Sequence, residues 1–104
     1  MAGSSSGDYV IKIIGGAMKG TEIPLKGNTQ TIGRSNEADI VFHDNLVSRV
    51  HSRLSWEDGQ WYLEDLESTN GTWMVGQRVA GKALIPAKTP VRIGNTLFEL
   101  FNIY

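Results

Sequence analysis

A hydroxyl, a guanidinium and an imidazole lie within four consecutive positions of the segment Asn45–His51. Ser48 can donate its hydroxyl hydrogen to an anion, and Arg49 beside it can add charge and a backbone N–H. His51, three residues after Ser48, also resembles a general base paired with a nucleophile. In a strand, however, residues three apart point to opposite faces, and no carboxylate is obviously placed to orient the ring. We therefore favour a buried structural histidine that bonds to backbone groups of a neighbouring loop, and we predict no catalytic residue.

A second candidate lies upstream, where Arg34 follows Gly33 at the end of a predicted strand. At a loop rim, the planar guanidinium can hold two oxygens of one phosphate or carboxylate. A charge-assisted contact of this kind contributes about 1.5 to 3 kcal/mol. The alternative is a surface arginine in an ordinary ion pair, and the position of Arg34 alone does not decide between them.

The third candidate is the turn at Asn70-Gly71, which follows Thr69. Gly71 can adopt positive φ without Cβ strain, and Asn70 can then project an amide from the loop. Because an amide both donates and accepts, it could clamp the backbone of an extended peptide. A turn asparagine that bonds only within its own loop is the alternative. Thr69 offers a second hydroxyl for a phosphate or a peptide.

Aromatic residues provide a competing possibility, a stacking platform for sugars or bases. Strand periodicity instead favours the core for Trp56 and Trp61, whereas Tyr62 and Trp73 stay undecided. The sequence contains no glycine-lysine loop of the kind that binds nucleotide phosphates.

Composition limits the possible functions. The chain of 104 residues fits one domain, which we place at residues 8–104 after a small, polar lead at residues 1–7. A net charge of −1 argues against non-specific nucleic-acid binding. No apolar run approaches the roughly 18 residues of a membrane span, so we expect no direct membrane contact. Without cysteine and with two histidines, we predict no metal, no cofactor and a reducing, cytoplasmic environment.

The elements that must position these residues are predicted to be strands. The best helical window, Gln77–Lys88, is interrupted by Gly81 and Pro86. Short apolar or alternating runs bounded by turn residues instead predict an all-β, two-sheet sandwich. The predicted strands are Tyr9–Ile14, Thr21–Leu25, Gln30–Arg34, Asp39–Phe42, Val50–Trp56, Gln60–Asp65, Thr72–Val75, Arg78–Val79, Ala83–Ile85, Pro90–Ile93 and Leu97–Ile103.

Alternation also assigns faces within the predicted strand Val50–Trp56. One face carries Val50, Leu54 and Trp56. The other face carries His51, Arg53 and Ser55.

The three candidate stretches, in this order and spacing, resemble the forkhead-associated (FHA) domain family. The matching motifs are Ile-Gly-Arg-Ser at 32–35, Val-Ser-Arg-Val-His at 47–51, Asp-Leu-Glu-Ser-Thr-Asn-Gly-Thr at 65–72 and Val-Arg-Ile-Gly at 91–94. The resemblance spans nearly the whole chain. It implies an eleven-stranded β-sandwich of the FHA/SMAD-like class, whose loops at one end bind phosphothreonine in an extended peptide.

Carried over position by position, the resemblance also implies site roles. It makes Arg34 and Ser48 phosphate ligands, with Arg49 and Thr69 assisting. It makes Asn70 the clamp on the peptide backbone. The residues that it implies as supports of the loops are Gly33, His51 and Gly71.

Two positions depart from the family pattern. Leu46 stands where some relatives have another basic phosphate contact, and Thr89-Pro90 replaces a Gly-Asp before the penultimate strand. The first departure would weaken phosphate binding. The second alters a rim that helps to choose peptide residues, so the peptide preference does not transfer.

Two main hypotheses follow. In the first, the domain binds phosphothreonine-containing proteins without catalysis. In the second, it is a scaffolding domain that assembles without phosphate, as in the cytoplasmic part of a membrane-associated bacterial secretion component. A hydrolase using Ser48 and His51 is a remote third.

Overall fold

The computed structural model describes residues 6–103, which form one short 3-10 helix and eleven β-strands. The helix is Ser6–Asp8, and the strands are β1 (Tyr9–Gly15), β2 (Glu22–Pro24), β3 (Thr29–Gly33), β4 (Ile40–Val41), β5 (Ser52–Glu57), β6 (Gln60–Asp65), β7 (Thr72–Met74), β8 (Gln77–Arg78), β9 (Lys82–Ile85), β10 (Val91–Ile93) and β11 (Thr96–Asn102). Each predicted strand has a counterpart, and the all-β prediction is confirmed.

The strands form two sheets. One has six strands in the order β2-β1-β11-β10-β7-β8, and the other has five in the order β4-β3-β5-β6-β9. All strand pairs are antiparallel except β3 and β4. The first strand pairs with the last, with Tyr9 opposite Asn102.

The inner faces of both sheets contribute to one hydrophobic core. Phe98 from the six-stranded sheet and Leu63 from the five-stranded sheet are both fully buried. Trp61 joins this core at 2% exposure, and Trp56 packs against it with ring centroids 5.2 Å apart. The predicted core position is thus confirmed for Trp61, whereas Trp56 is only partly buried. The two-layer core fixes the strand ends from which the loops project.

The predicted start of β5 is wrong by two residues. The strand begins at Ser52 rather than Val50, so His51 belongs to the preceding loop. Its ring is fully buried, which confirms the predicted buried histidine. Ser55, assigned to the same face as Arg53, is only 9% exposed. Alternation cannot assign a face to His51 because the strand has not yet begun there.

The predicted lead lies only partly within the described residues. Ser6 and Gly7 belong to the 3-10 helix with Asp8, and Ser6 is buried at 8% exposure. Residues 1–5 and Tyr104 lie outside the description. Within residues 6–103, no helix has the length and apolar character needed to cross a membrane.

Candidate functional site

Three loops meet at one end of the sandwich: residues 34–39 after β3, residues 42–51 before β5 and residues 66–71 after β6. The N–H of Arg34 donates to the carbonyl of Ser48 at 2.9 Å. The N–H of Thr69 donates to the Ser48 hydroxyl at 3.1 Å, and Asn70 Nδ2 donates to the carbonyl of Leu46 at 2.9 Å. The structure therefore brings the three sequence stretches together.

Arg34 lies at the rim of this end and is exposed. Its Nε–H donates to the carbonyl of Val47 at 2.9 Å, which fixes the plane of the guanidinium. Its terminal amino groups make no hydrogen bond or ion pair with any residue that the structure describes. The head of Arg34 is therefore oriented, and its charge is free to meet an anion.

Gly33 explains how two loops come so close. A Cβ built at this position would lie 2.0 Å from the carbonyl oxygen of Arg49, a contact that no side chain can make. That oxygen accepts the N–H of Ser35 at 3.2 Å. The φ of Gly33 is not in the left-handed region, so backbone conformation does not require glycine here. The close approach of the two backbones does.

The Ser48 hydroxyl is positioned by a backbone donor. Because its oxygen accepts the N–H of Thr69 at 3.1 Å, its own hydrogen is left to donate elsewhere. The backbone N–H of Ser48 donates to Nδ1 of His51 at 3.0 Å. The hydroxyl is therefore held half-buried between two loops.

His51 is fully buried and joins the two loops through both ring nitrogens. Nδ1 accepts from Ser48, and Nε2 lies 2.9 Å from the carbonyl oxygen of Gly71. A nitrogen that accepts an N–H carries no proton, so the network assigns the neutral tautomer with hydrogen on Nε2. This arrangement leaves no lone pair for general-base chemistry.

Below the loops, Asp65 organises a polar network that sequence reasoning missed. Its Oδ1 accepts the hydroxyls of Ser68 and Thr72, both at 2.6 Å, and its Oδ2 accepts the N–H of Ser68 at 3.0 Å. The Ser68 hydroxyl in turn accepts the N–H of Gly71 at 2.9 Å. Burial would raise the pKa of Asp65, but hydrogen bonds from Ser68 and Thr72 outweigh it and hold the pKa below 3.8.

Asn70 and Gly71 form the tip of the third loop. Asn70 bonds to a neighbouring loop through Leu46, not only within its own, and its carbonyl accepts the indole N–H of Trp73 at 3.0 Å. Its Oδ1 and the Thr69 hydroxyl accept or donate no hydrogen bond among the described residues. Gly71 has φ +84°, as the predicted turn requires.

The Arg49 side chain points toward the first loop. Its Nη2 lies 2.9 Å from Glu37 Oε1, and the side chains are 70% and 63% exposed. Such exposed pairs contribute little, so the guanidinium can exchange partners easily. Within residues 6–103, the backbone N–H of Arg49 has no hydrogen-bond partner.

Asp44 links the second loop to the β10–β11 turn, a role that no local sequence pattern indicates. Its carboxylate accepts the N–H groups of Leu46 and Asn95 at 3.0 and 2.7 Å, and the Thr96 hydroxyl at 2.8 Å. Burial would raise the pKa of Asp44, but these hydrogen bonds lower it below 3.8. No group of three or more metal-ligating side chains occurs among residues 6–103.

Comparison with known proteins gives a consistent family. Residues 12–103 match the family model for the cytoplasmic domain of an inner membrane component of type III secretion systems. The FHA domain-containing protein FhaB of Mycobacterium tuberculosis is 42% identical over 85 residues, covering 82% of this chain. The chain spans 55% of the length of FhaB.

Solved structures agree on the fold. The FHA domain of a Chlamydia trachomatis protein aligns with a TM-score of 0.85 and 32% identity, covering 90% of this chain and 96% of that one. A structure described as an analysis of phosphothreonine-dependent FHA domain interactions aligns with a TM-score of 0.79 and 26% identity, covering 88% and 93%.

Proposed function

Because the chain belongs to the family of forkhead-associated domains, we propose that it binds phosphothreonine in a partner protein through the three loops at one end of its sandwich. The single observation that supports this most is the oriented but unpaired head of Arg34 beside the Ser48 hydroxyl, whose hydrogen is free. A phosphate there would receive a planar cation and a neutral donor together.

We assign the primary phosphate contacts to Arg34 and Ser48. The unpaired backbone N–H of Arg49 and the exposed hydroxyl of Thr69 supply further donors at the same rim. Asn70 keeps its Oδ1 for a peptide N–H while Nδ2 holds the loop through Leu46.

The supporting roles follow from the contacts beneath the rim. Gly33 permits the approach of the first two loops, and His51 bonds to the second and third. Gly71 supplies the carbonyl that His51 contacts and the turn that presents Asn70. None of these roles involves a chemical reaction, so we propose binding without catalysis. The match to a cytoplasmic domain supports a cytoplasmic location.

The chemistry of phosphate sets the expected pH and residue preferences. Its second pKa is about 6, so affinity should fall as the pH drops below that value. Burial of the threonine methyl alone favours threonine over serine by about 0.8 kcal/mol, or roughly fourfold. Larger selectivity would need the stiffness of the β-branched side chain to fix the phosphate position.

A second candidate function is phosphate-independent assembly with a partner protein. The observation that favours it is the match of residues 12–103 to a cytoplasmic domain of a secretion component. It predicts contacts that do not depend on Arg34.

Calorimetry with a degenerate threonine-peptide library, phosphorylated and unphosphorylated, separates the two functions. We expect the wild type to bind the phosphorylated peptides with a dissociation constant near micromolar, a binding free energy of about −8 kcal/mol, and not to bind the unphosphorylated ones. Arg34→Ala should weaken binding at least about tenfold, since it removes a charge-assisted contact. Arg53→Ala, which removes an arginine paired with Glu64 at 2.8 Å, is the matched control. Binding that ignores both phosphate and Arg34 would instead support assembly.

A further inference from the structure

The five arginines of the chain divide into two groups. Arg49 and Arg53 form ion pairs with glutamates. The other three form no ion pair with any acidic residue among residues 6–103, and they are Arg34, Arg78 and Arg92. Arg34 belongs to the proposed phosphate site, so two further unpaired guanidiniums remain to be explained.

Arg78 and Arg92 lie on either side of one indole. In the six-stranded sheet, Trp73 of β7 is directly opposite Arg78 of β8 and Arg92 of β10. Directly opposite residues share a face, and Thr72 beside Trp73 points into the core. The three side chains therefore form one row across the outer face, which we call the Arg78–Trp73–Arg92 row.

The row lies next to Asn70, the residue proposed to hold the peptide backbone. The indole N–H of Trp73 donates to the carbonyl of Asn70 at 3.0 Å. A Cβ at Gly71 would lie 2.8 Å from Nε of Arg78, so this guanidinium packs on the bare backbone of the loop tip. A chain leaving Asn70 toward this side would pass directly over the row.

The row is also pre-ordered for an anion. The guanidinium of Arg92 lies 5.3 Å from the centroid of the Trp73 ring, and its Nη1 donates to the carbonyl of Gly94 at 3.3 Å. Stacking on an aromatic face leaves the edge of a guanidinium open to a carboxylate. Beside the row, a shallow cavity of about 170 Å³ lined by Trp73, Leu97 and Pro90 can accept an aliphatic stem.

We propose that the Arg78–Trp73–Arg92 row is a second anion-binding surface, which receives acidic side chains of the same partner segment that carries the phosphothreonine. The inference rests on the proposed function, because Asn70 must first direct the segment over the row. It makes the sequence around the phosphothreonine, and not the phosphate alone, a determinant of affinity.

The test uses phosphothreonine peptides with neutral flanks, into which one aspartate is moved a position at a time along both sides. Dissociation constants are measured by fluorescence anisotropy for the wild type, Arg78→Gln, Arg92→Gln and the double variant. Arg53→Gln is the matched control, since its side chain belongs to the other sheet. An Arg78→Lys variant keeps the charge without the fork.

On one side of the phosphothreonine, aspartate should tighten binding to the wild type by about three- to fivefold, as expected for a partly exposed ion pair. The gain should shrink with added salt, disappear in the double variant, survive in part in Arg78→Lys and persist fully in Arg53→Gln. The neutral phosphopeptide should bind all variants alike, and thermal melting verifies that each is folded.

Two results would overturn the inference while leaving the proposed function intact. One is that no aspartate position improves binding although the neutral phosphopeptide binds. The other is that the gain persists in the double variant. If the neutral phosphopeptide does not bind the wild type, the proposed function and this inference fail together.

Discussion

Gly33 and Gly71 are pressed against other parts of the chain at the end of the sandwich that we propose binds phosphothreonine, the ligand end. Gly27 and Gly59, at the opposite end, face open space. A Cβ would lie 2.0 Å from the nearest atom at Gly33 and 2.8 Å at Gly71, but it would meet nothing within 4 Å at Gly27 or Gly59. Glycine thus serves only turn geometry at the far end. At the ligand end it also allows segments to approach closely.

Buried polar groups show the same contrast. At the ligand end both ring nitrogens of His51 have partners, although the side chain is fully buried. Toward the far end, Trp61 Nε1 is the buried side-chain polar atom that lacks a partner among residues 6–103. It lies instead in an aromatic cluster with Tyr9 and Trp56. The far end also has a hydrogen bond to a buried side chain, from the Lys26 N–H to Gln30 Oε1 at 2.6 Å, so the contrast lies in the aromatic packing around Trp61.

The largest expected effect is that of Gly33→Ala. Because the new Cβ would overlap the carbonyl oxygen of Arg49, unfolding free energy should fall by about 3 kcal/mol or more. Urea denaturation measures the loss, and phosphopeptide binding should weaken with it. Gly59→Ala, at φ +77° in open space, should cost about 1 to 2 kcal/mol and leave binding intact. Equal effects of the two substitutions would remove the contrast between the ends.

His51→Ala should have the next largest effect. It leaves the N–H of Ser48 and the carbonyl of Gly71 unpaired, which costs about 2 to 3 kcal/mol of folding stability. Affinity for a phosphothreonine peptide should also fall several-fold, because Ser48 is no longer held in place. The exposed His43 provides the control, since His43→Ala should change neither urea midpoint nor affinity. Unchanged affinity in His51→Ala would show that the loops keep their shape without the ring.

A smaller effect is expected from pH, because the carboxylates of Asp65 and Asp44 should make folding stability depend on it. A group whose pKa is lower in the folded state stabilises the fold above its unfolded pKa, and this contribution is lost as pH falls through the folded value. The pKa of Asp65 is lowered in this way from 3.8. Wild-type stability should therefore exceed that of Asp65→Asn at neutral pH, and the difference should shrink below about pH 4.

Urea midpoints of both proteins at several pH values test this expectation. Asp44→Asn should behave similarly, because the pKa of Asp44 is lowered too. A difference that stays constant with pH would show that the carboxylates do not couple the loops to protonation.

The smallest expected effect is that of Trp61→Phe at the far end. The substitution removes an indole N–H that has no partner among the described residues, so the loss is limited to packing. We expect a cost of less than about 1.5 kcal/mol and unchanged phosphopeptide affinity. A loss comparable to that of His51→Ala would mean that the far end depends equally on a directional contact.

Much of the fold could be predicted because its signals are local. Turn residues and alternation located all the strands, and Gln60–Asp65 matches β6 at both ends. The start of β5 was predicted two residues too early. His51 is as buried as a core residue of a strand, although it belongs to a loop.

For the candidate site, the sequence predicted which residues come together but not the contacts that connect them. Arg34, Ser48 and Asn70 were indicated by residue type and spacing, and the structure brings their loops together. The Asp65 network and the pairing of Arg49 with Glu37 were missed. These contacts depend on how distant loops approach one another, which residue type alone does not encode.

The antiparallel pairing of β1 with β11 has a practical consequence for measurements. Tyr9 lies opposite Asn102. Because β11 starts at the turn that bonds to Asp44 of the second loop, the chain enters β1 and leaves β11 on the side away from the ligand loops. A fluorophore, a biotin or a sensor surface attached next to Tyr9 or Asn102 would therefore leave those loops open. Immobilised protein should bind a phosphopeptide with the same affinity as free protein.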